Sequence, residues 1–194
     1  SVSPYADIAQ AIQANLAAIG IRARMLPAEQ RQKSQEAFME GEDVVAVCTN
    51  AFGMGVNKPD TRLVIHFAIP GTIEAYYQEA GRAGRDGMPA DCVLLYSYGD
   101  RRTQEFFIDN IGREAGDSEH GWEISAEAVE ERKAHARGKL EQMVEYAQLH
   151  QCRRQAILDY FGEATTIDSA TCFCDVCRRG RGDGESVAMT VTLV

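Results

Sequence analysis

Three almost unbroken apolar runs limit what this chain can become: DVVAVCT (43–49), RLVIHFAIP (62–70) and ADCVLLYSY (90–98). A strand that is apolar on both of its faces leaves nothing for water. Such runs mark strands covered on both sides of a parallel sheet. Parallel neighbours need a long crossover, normally a helix, and helical patterns lie between these runs. In Tyr5–Gly20, Ile8, Ile12, Leu16 and Ile19 form one apolar stripe that closes at Gly20. IRARM is short enough for a strand, and AEQRQKSQEAFMEG predicts a helix ending before Gly41. TIEAYYQEAGRAG opens on Thr72 as a candidate N-cap, and DRRTQEFFIDNIG is a further helix that Asp100 can cap. Strands alternating with helices predict an α/β domain over residues 1–112.

Beyond it the pattern changes. Residues 113–124 are polar, glycine-containing and aperiodic, as in a linker. Residues 125–180 predict a helical hairpin: one long helix with Leu140, Met143, Val144 and Ala147 on a stripe, then CRRQAILDYFG carrying Ile157, Leu158 and Phe161. A hairpin of this size has a thin core and benefits from a metal staple. The remainder, 181–194, ends in the strand-like MTVTLV and is expected to lead into a further domain.

Four of the six cysteines cluster late in the chain, as Cys152, Cys172, Cys174 and Cys177. Without a secretion signal, clustered thiols point to a reducing cytoplasm and to metal before disulfide. Four thiolates suit a closed structural zinc site with no open catalytic position; a redox CxxC and unmetallated buried thiols are the alternatives. Cys48 and Cys92 lie inside apolar runs and are expected as small buried hydrophobes. His150, beside Cys152, is expected on the surface, and Arg153 and Arg154 on a solvated helix face rather than on a phosphate. The net charge of −9 argues against a free-standing DNA clamp, and no apolar run approaches the ~20 residues of a membrane span.

Two stretches carry candidate chemistry. CTNAFGMGVNKPD (48–60) follows a buried strand, where α/β sheets bind ligands. There Thr49, Gly53, Gly55 and Asn57 can approach phosphates or a ribose, although a tight connection using glycine for φ > 0 is an equal reading. In EAGRAGRDG (79–87), Arg82 and Arg85 offer planar guanidinium forks to phosphate. The ordinary reading is surface pairing with Glu79 and Asp86.

Together, Cys48 to Asp100 closely resembles the second motor domain of the RecQ family of DNA helicases: Thr49–Pro59 matches its motif V and Gln78–Arg85 its motif VI. CRRQAILDYFGE (152–163) and CDVC (174–177) resemble the same family's zinc-binding domain. The resemblance implies a RecA-like, P-loop NTPase-like lobe followed by a small helical zinc domain. It implies a role in ATP-dependent, 3′-to-5′ DNA unwinding on single-stranded and partly duplex DNA, and a nucleoid-associated location in a bacterium. Arg85 resembles an arginine finger that reaches ATP on a first motor domain, Arg82 its partner on the phosphates, and Gln78 a coupling residue. Thr49, Gly53, Gly55 and Asn57 resemble a nucleotide and single-strand contact. The structural metal implied is Zn²⁺.

The sequence also departs from the family. It contains no GxxxxGK[ST] loop and no acidic magnesium box, so ATP and Mg²⁺ are expected to bind mainly on the first motor domain and this chain alone to be inactive. ARML (23–26) stands where the family has an HAGL-type segment, and only Phe173 separates Cys172 from Cys174 where two residues are usual. Cys172 is therefore the ligand that spacing supports least. A winged-helix domain is expected to follow. The rival reading is a helicase relative without catalysis, acting as a zinc-dependent DNA- or partner-binding module; a thiol redox protein is a third.

Overall fold

The structure, a computed structural model, describes residues 31–41, 45–46, 57–112, 125–182 and 189–193. The chain divides into two compact units, Ser1–Asn57 and Lys58–Val194. In the first, the described element is helix α1 (Arg31–Glu40), closed by the Gly41 N–H on the Ala37 carbonyl. The helix expected over 5–20 and the IRARM strand lie outside the described residues, as does most of the run 43–49.

The second unit runs β1 (Leu63–His66), α2 (Ile73–Ala80), β2 (Ala90–Leu94), α3 (Tyr98–Asp109), α4 (Ala126–Ala147), α5 (Arg153–Phe161), α6 (Asp175–Arg181) and β3 (Met189–Leu193). β1 and β2 pair in parallel, with Val64 opposite Cys92 and His66 opposite Leu94, and α2 is the crossover between them. Thr72 caps α2 as its position predicts, its hydroxyl accepting from the Ala75 N–H at 3.1 Å. Asp100 acts from inside the first turn of α3, not as the N-cap. The helix starts earlier, at Ser97, whose N–H donates to the Asp100 carboxylate at 2.9 Å.

The sheet extends the expected parallel pair. β3 turns back and pairs antiparallel with the free edge of β2, Cys92 opposite Val191. An edge strand has a row of unpaired backbone groups, and a β-branched segment such as TVT satisfies them well. The strands are also not buried on both faces. Cys92 and Leu94 are fully buried under the helices, whereas Leu63 and Ile65 on the other face are 51% and 53% exposed. Strand side chains alternate between faces, and the described helices of this unit cover only one of them.

One apolar core joins the sheet layer to the helical hairpin, and the cysteine cluster forms a second, smaller one. Ile69, Tyr76 and Leu94 join Leu140, Met143 and Val144 of α4 in a single apolar cluster, so the long helix lies on the α/β layer as well as on its own hairpin. Ion pairs reinforce the seam: Arg101 with Glu141 at 2.8 Å and Arg137 with Asp109 at 2.7 Å.

Glu74 on α2 makes a tighter junction. Its Oε1 accepts from Lys139 Nζ at 2.6 Å and from the Tyr160 hydroxyl at 2.7 Å. The Lys139 ammonium, then the Tyr160 hydroxyl, lower its pKa from 4.5 to about 2. A carboxyl depressed by folding adds stability that is complete above its unfolded pKa and fades as the pH falls through the folded one. Its side chain is 38% exposed, so solvent screening reduces the effect to about 1 kcal/mol. Glu74→Gln is expected to lower the Tm at pH 7 by about 2–4 °C. Parallel melts of both chains should show that gap closing as the pH falls from 4.5 towards 2; a constant gap would mean that packing, not charge, holds the junction.

Candidate functional site: arginine loop and metal centre

Gly81 closes helix α2, and a Cβ there would stand 2.9 Å from the Tyr77 carbonyl oxygen, so a larger residue would have to displace backbone. The chain then turns through Gly84, whose φ of 63° lies in the left-handed region, and the Gly84 N–H donates to the Thr61 carbonyl at 3.0 Å. Within this turn Arg82 is half-buried and Arg85 exposed, with Arg85 Nε donating to the Gly81 carbonyl at 3.1 Å. Gln78 is exposed on the same helix. The glycines thus have a local reason: they shape the turn that carries the two arginines.

The acids beside these arginines face other partners. Glu79 Oε2 lies 2.8 Å from Nε2 of the buried His66. Asp86 accepts from Arg62 at 2.5 Å, and the Arg62 guanidinium lowers its pKa. Sequence reasoning passes over Arg62, which clasps the loop from outside. Its Nη1 donates to the Pro89 carbonyl at 3.1 Å and its Nε to the Asp60 carbonyl at 3.0 Å, while the Asp86 N–H donates to the Pro59 carbonyl. The segment before β1 is thereby bound to the arginine turn. The partners stand 24 and 27 residues away, so no local pattern announces the clasp.

Of the motif V candidates, Thr49, Gly53 and Gly55 lie outside the described residues, as does Cys48, and Asn57 is exposed. Cys92 is fully buried as expected, and burial pushes its thiol up to about 12.

The four late cysteines converge. All four Sγ atoms lie within 4.8 Å of one another, with Cys152 to Cys172 at 3.6 Å and Cys174 to Cys152 at 4.0 Å. Tetrahedral Zn–S bonds of about 2.3 Å set sulfurs about 3.8 Å apart, so the residues present fit a zinc ion. Cys172 belongs to the cluster despite its short spacing. Phe173 is turned out to 55% exposure while Cys172 and Cys174 are buried on either side of it. Cys152 and Cys174 are the N-caps of α5 and α6, where backbone N–H groups favour the thiolate. Burial opposes ionisation of Cys174, but backbone hydrogen bonds involving Cys177 and Arg153 bring its thiol below the ordinary value. His150 is exposed, as expected.

Arg153 is the main correction. Far from being solvated, it is 2% exposed. Its Nε and Nη2 meet the two oxygens of Asp175 at 2.6 and 3.2 Å, and its Nη1 donates to the Tyr146 carbonyl at 2.8 Å. A buried guanidinium requires a paired anion, and Asp175, between Cys174 and Val176, supplies it. The signal is present in CRRQ and CDVC: an arginine and an aspartate each directly following a ligand candidate. Arg154 is half-buried.

Comparison with known proteins agrees with this geometry. Residues 5–87 match the helicase conserved C-terminal domain and residues 98–178 the RecQ zinc-binding domain. The chain is 44% identical over 133 residues to the ATP-dependent DNA helicase RecQ of Bacillus subtilis, covering 69% of this chain and 20% of that protein. It is 36% identical over 170 residues to the ATP-dependent DNA helicase Q1 of Rattus norvegicus, covering 84% of this chain and 24% of the relative. A putative ATP-dependent RNA helicase, R290, of Acanthamoeba polyphaga mimivirus is 37% identical over 170 residues, covering 88% and 28%. The chain therefore spans between 20% and 28% of the length of these relatives. With a helicase C-terminal domain leading into a RecQ-type zinc-binding domain, in that order, the chain belongs to the RecQ helicase family.

Proposed function

We propose that this chain supplies the second motor lobe and the zinc domain of an ATP-dependent, 3′-to-5′ DNA helicase working in replication, recombination and repair. Cys152, Cys172, Cys174 and Cys177 hold a structural Zn²⁺. Arg85 is the arginine finger, Arg82 a second phosphate contact and Gln78 a residue that couples nucleotide state to the lobe. Thr49, Gly53, Gly55 and Asn57 meet nucleotide and single-stranded DNA. ATP and Mg²⁺ sit on a first lobe. Water attacks the γ-phosphorus as the bond to the bridging oxygen breaks, and the finger offsets the charge gathering on the phosphate oxygens. Closing and reopening of the lobes around the strand turns hydrolysis into movement.

The observation that carries this reading is the arginine turn. It closes α2 through Gly81 and the left-handed Gly84, and Arg85 is exposed on it. The names of the relatives, two DNA helicases and one RNA helicase, support the activity class.

The test compares ATP hydrolysis by the 194-residue chain with that of the same chain joined to a lobe carrying a phosphate-binding loop, each with and without single-stranded DNA. DNA-stimulated turnover is expected only in the joined protein, together with unwinding of duplexes that bear a 3′ overhang. Turnover by the chain alone would overturn the division of labour, and preference for a 5′ overhang would overturn the polarity.

A further inference from the structure

Between the cysteine cluster and the arginine turn runs a series of side chains in contact, buried at its centre. Asp175 follows Cys174, and Arg153 follows Cys152. The Arg153 guanidinium grips Asp175 with two nitrogens and the Tyr146 carbonyl with the third, and lies 5.8 Å from the centre of the Tyr146 ring. The Tyr146 ring stands 5.4 Å from that of Tyr76 on α2, which in turn lies 5.1 Å from the His66 ring. His66 meets Glu79 at the far end of α2. Arg153, Tyr146 and Tyr76 are each no more than 3% exposed. The Tyr76 and Tyr146 side chains interact directly, ring against ring. Packing and the Arg153 fork hold these rings in place.

We propose that the zinc centre is a strut for the arginine-bearing helix, with Arg153 and Tyr146 as positioning residues that transmit metal occupancy to α2. Two ligand-bearing helix starts are fixed by the metal, and Arg153 bridges them through Asp175. The same guanidinium fastens the end of α4, where Tyr146 meets Tyr76. When the metal leaves, Asp175 and Arg153 lose their fixed spacing, the Tyr146 ring loses its support, and α2 loosens at the helix that carries Gln78 and leads into Arg82 and Arg85. Contiguous buried contact of this kind is the physical route by which a local change reaches a distant element. In this arrangement the zinc domain orients the arginine turn, in addition to any contact it makes with nucleic acid.

Amide hydrogen exchange on the zinc-loaded chain tests the strut, before and after chelation. Peptides covering α2 and residues 81–87 are expected to exchange at least tenfold faster once zinc is removed, while β2 is unchanged. Tyr146→Leu should exchange fast in α2 even with zinc bound and show no further rise on chelation. Tyr146→Phe, which keeps the ring against Tyr76 and Arg153, should keep the zinc response of the parent. If Tyr146→Leu does not fold, Arg153→Lys serves instead: it keeps the charge but loses the two-nitrogen grip, and α2 should again stop responding to zinc. Three results would overturn the proposal: no change in α2 on chelation, an equal rise in β2, or a full zinc response in the folded variant. The consequence for catalysis rests on the reading of Arg85. Exchange is measured without ATP, however, so failure of the strut leaves the finger untouched, and failure of the finger leaves the strut intact.

Discussion

Cys174→Ser is expected to leave the purified chain without bound zinc and to melt α5 and α6 at room temperature. Structural zinc contributes about 10–16 kcal/mol to the folding of small domains near neutral pH, against a typical total stability of about 5–15 kcal/mol. Apart from Ile157 and the Tyr160 contact with Glu74, the segment has little apolar support. Ile157 is the buried apolar residue of α5 and Cys177 that of α6, and Ile167 and Val176 are only partly buried against the thiols. Removing one ligand also leaves the other three thiols and the Arg153–Asp175 pair without their frame. α4 should persist, because Leu140, Met143 and Val144 belong to the core shared with the sheet. Metal analysis should fall from one zinc per chain to none, and the far-ultraviolet helical signal should fall by the share of α5 and α6 alone. Cys172→Ser is the sharper discriminator. Full zinc stoichiometry in that variant would remove Cys172 from the ligand set, however close its sulfur lies.

The second large effect concerns turnover. In the joined protein, Arg85→Ala is expected to lower kcat for ATP hydrolysis by ~10³–10⁵ while ATP binding stays nearly constant, since a finger acts on charge that appears only in the transition state. Arg85→Lys should not restore the rate, because an ammonium lacks the planar two-pronged fork. Arg82→Ala should be milder: Arg82 is half-buried in the turn whereas Arg85 is exposed on it. Unchanged kcat in Arg85→Ala would sink the finger assignment. A rise in KM at constant kcat would instead make Arg85 a ground-state binding group.

Much of this architecture is legible in the amino-acid sequence alone. Apolar runs alternating with helical stripes predict the crossover between β1 and β2. Thr72 marks the start of α2, and the apolar stripe of α4 lies in the core as its spacing foretells. The four cysteines are legible because metal ligands must be of one chemical kind and close in space, which leaves few residues to choose among. What stays hidden is long-range. Arg62 and Arg153 each look like a solvated surface arginine, because local composition cannot say whether an acid 22 or 24 residues away will arrive beside the guanidinium. The exposed face of β1 is hidden for a related reason. Hydrophobicity records what a strand tolerates, whereas coverage depends on which helices pack against it.

Residue type and spacing by themselves determined the α/β alternation, the glycine turn that presents Arg82 and Arg85, and the thiol set fit for zinc. Each is a local matter of periodicity, backbone freedom or ligand chemistry. Tertiary structure alone decided that the helical hairpin shares one core with the sheet and that β3 returns to pair with β2. It decided too that Cys172 lies within reach of its three partners and that a buried arginine joins the metal centre to the arginine helix. These depend on which segments meet, and that is settled by burying shared apolar surface and pairing buried charge across stretches of chain that no local pattern connects.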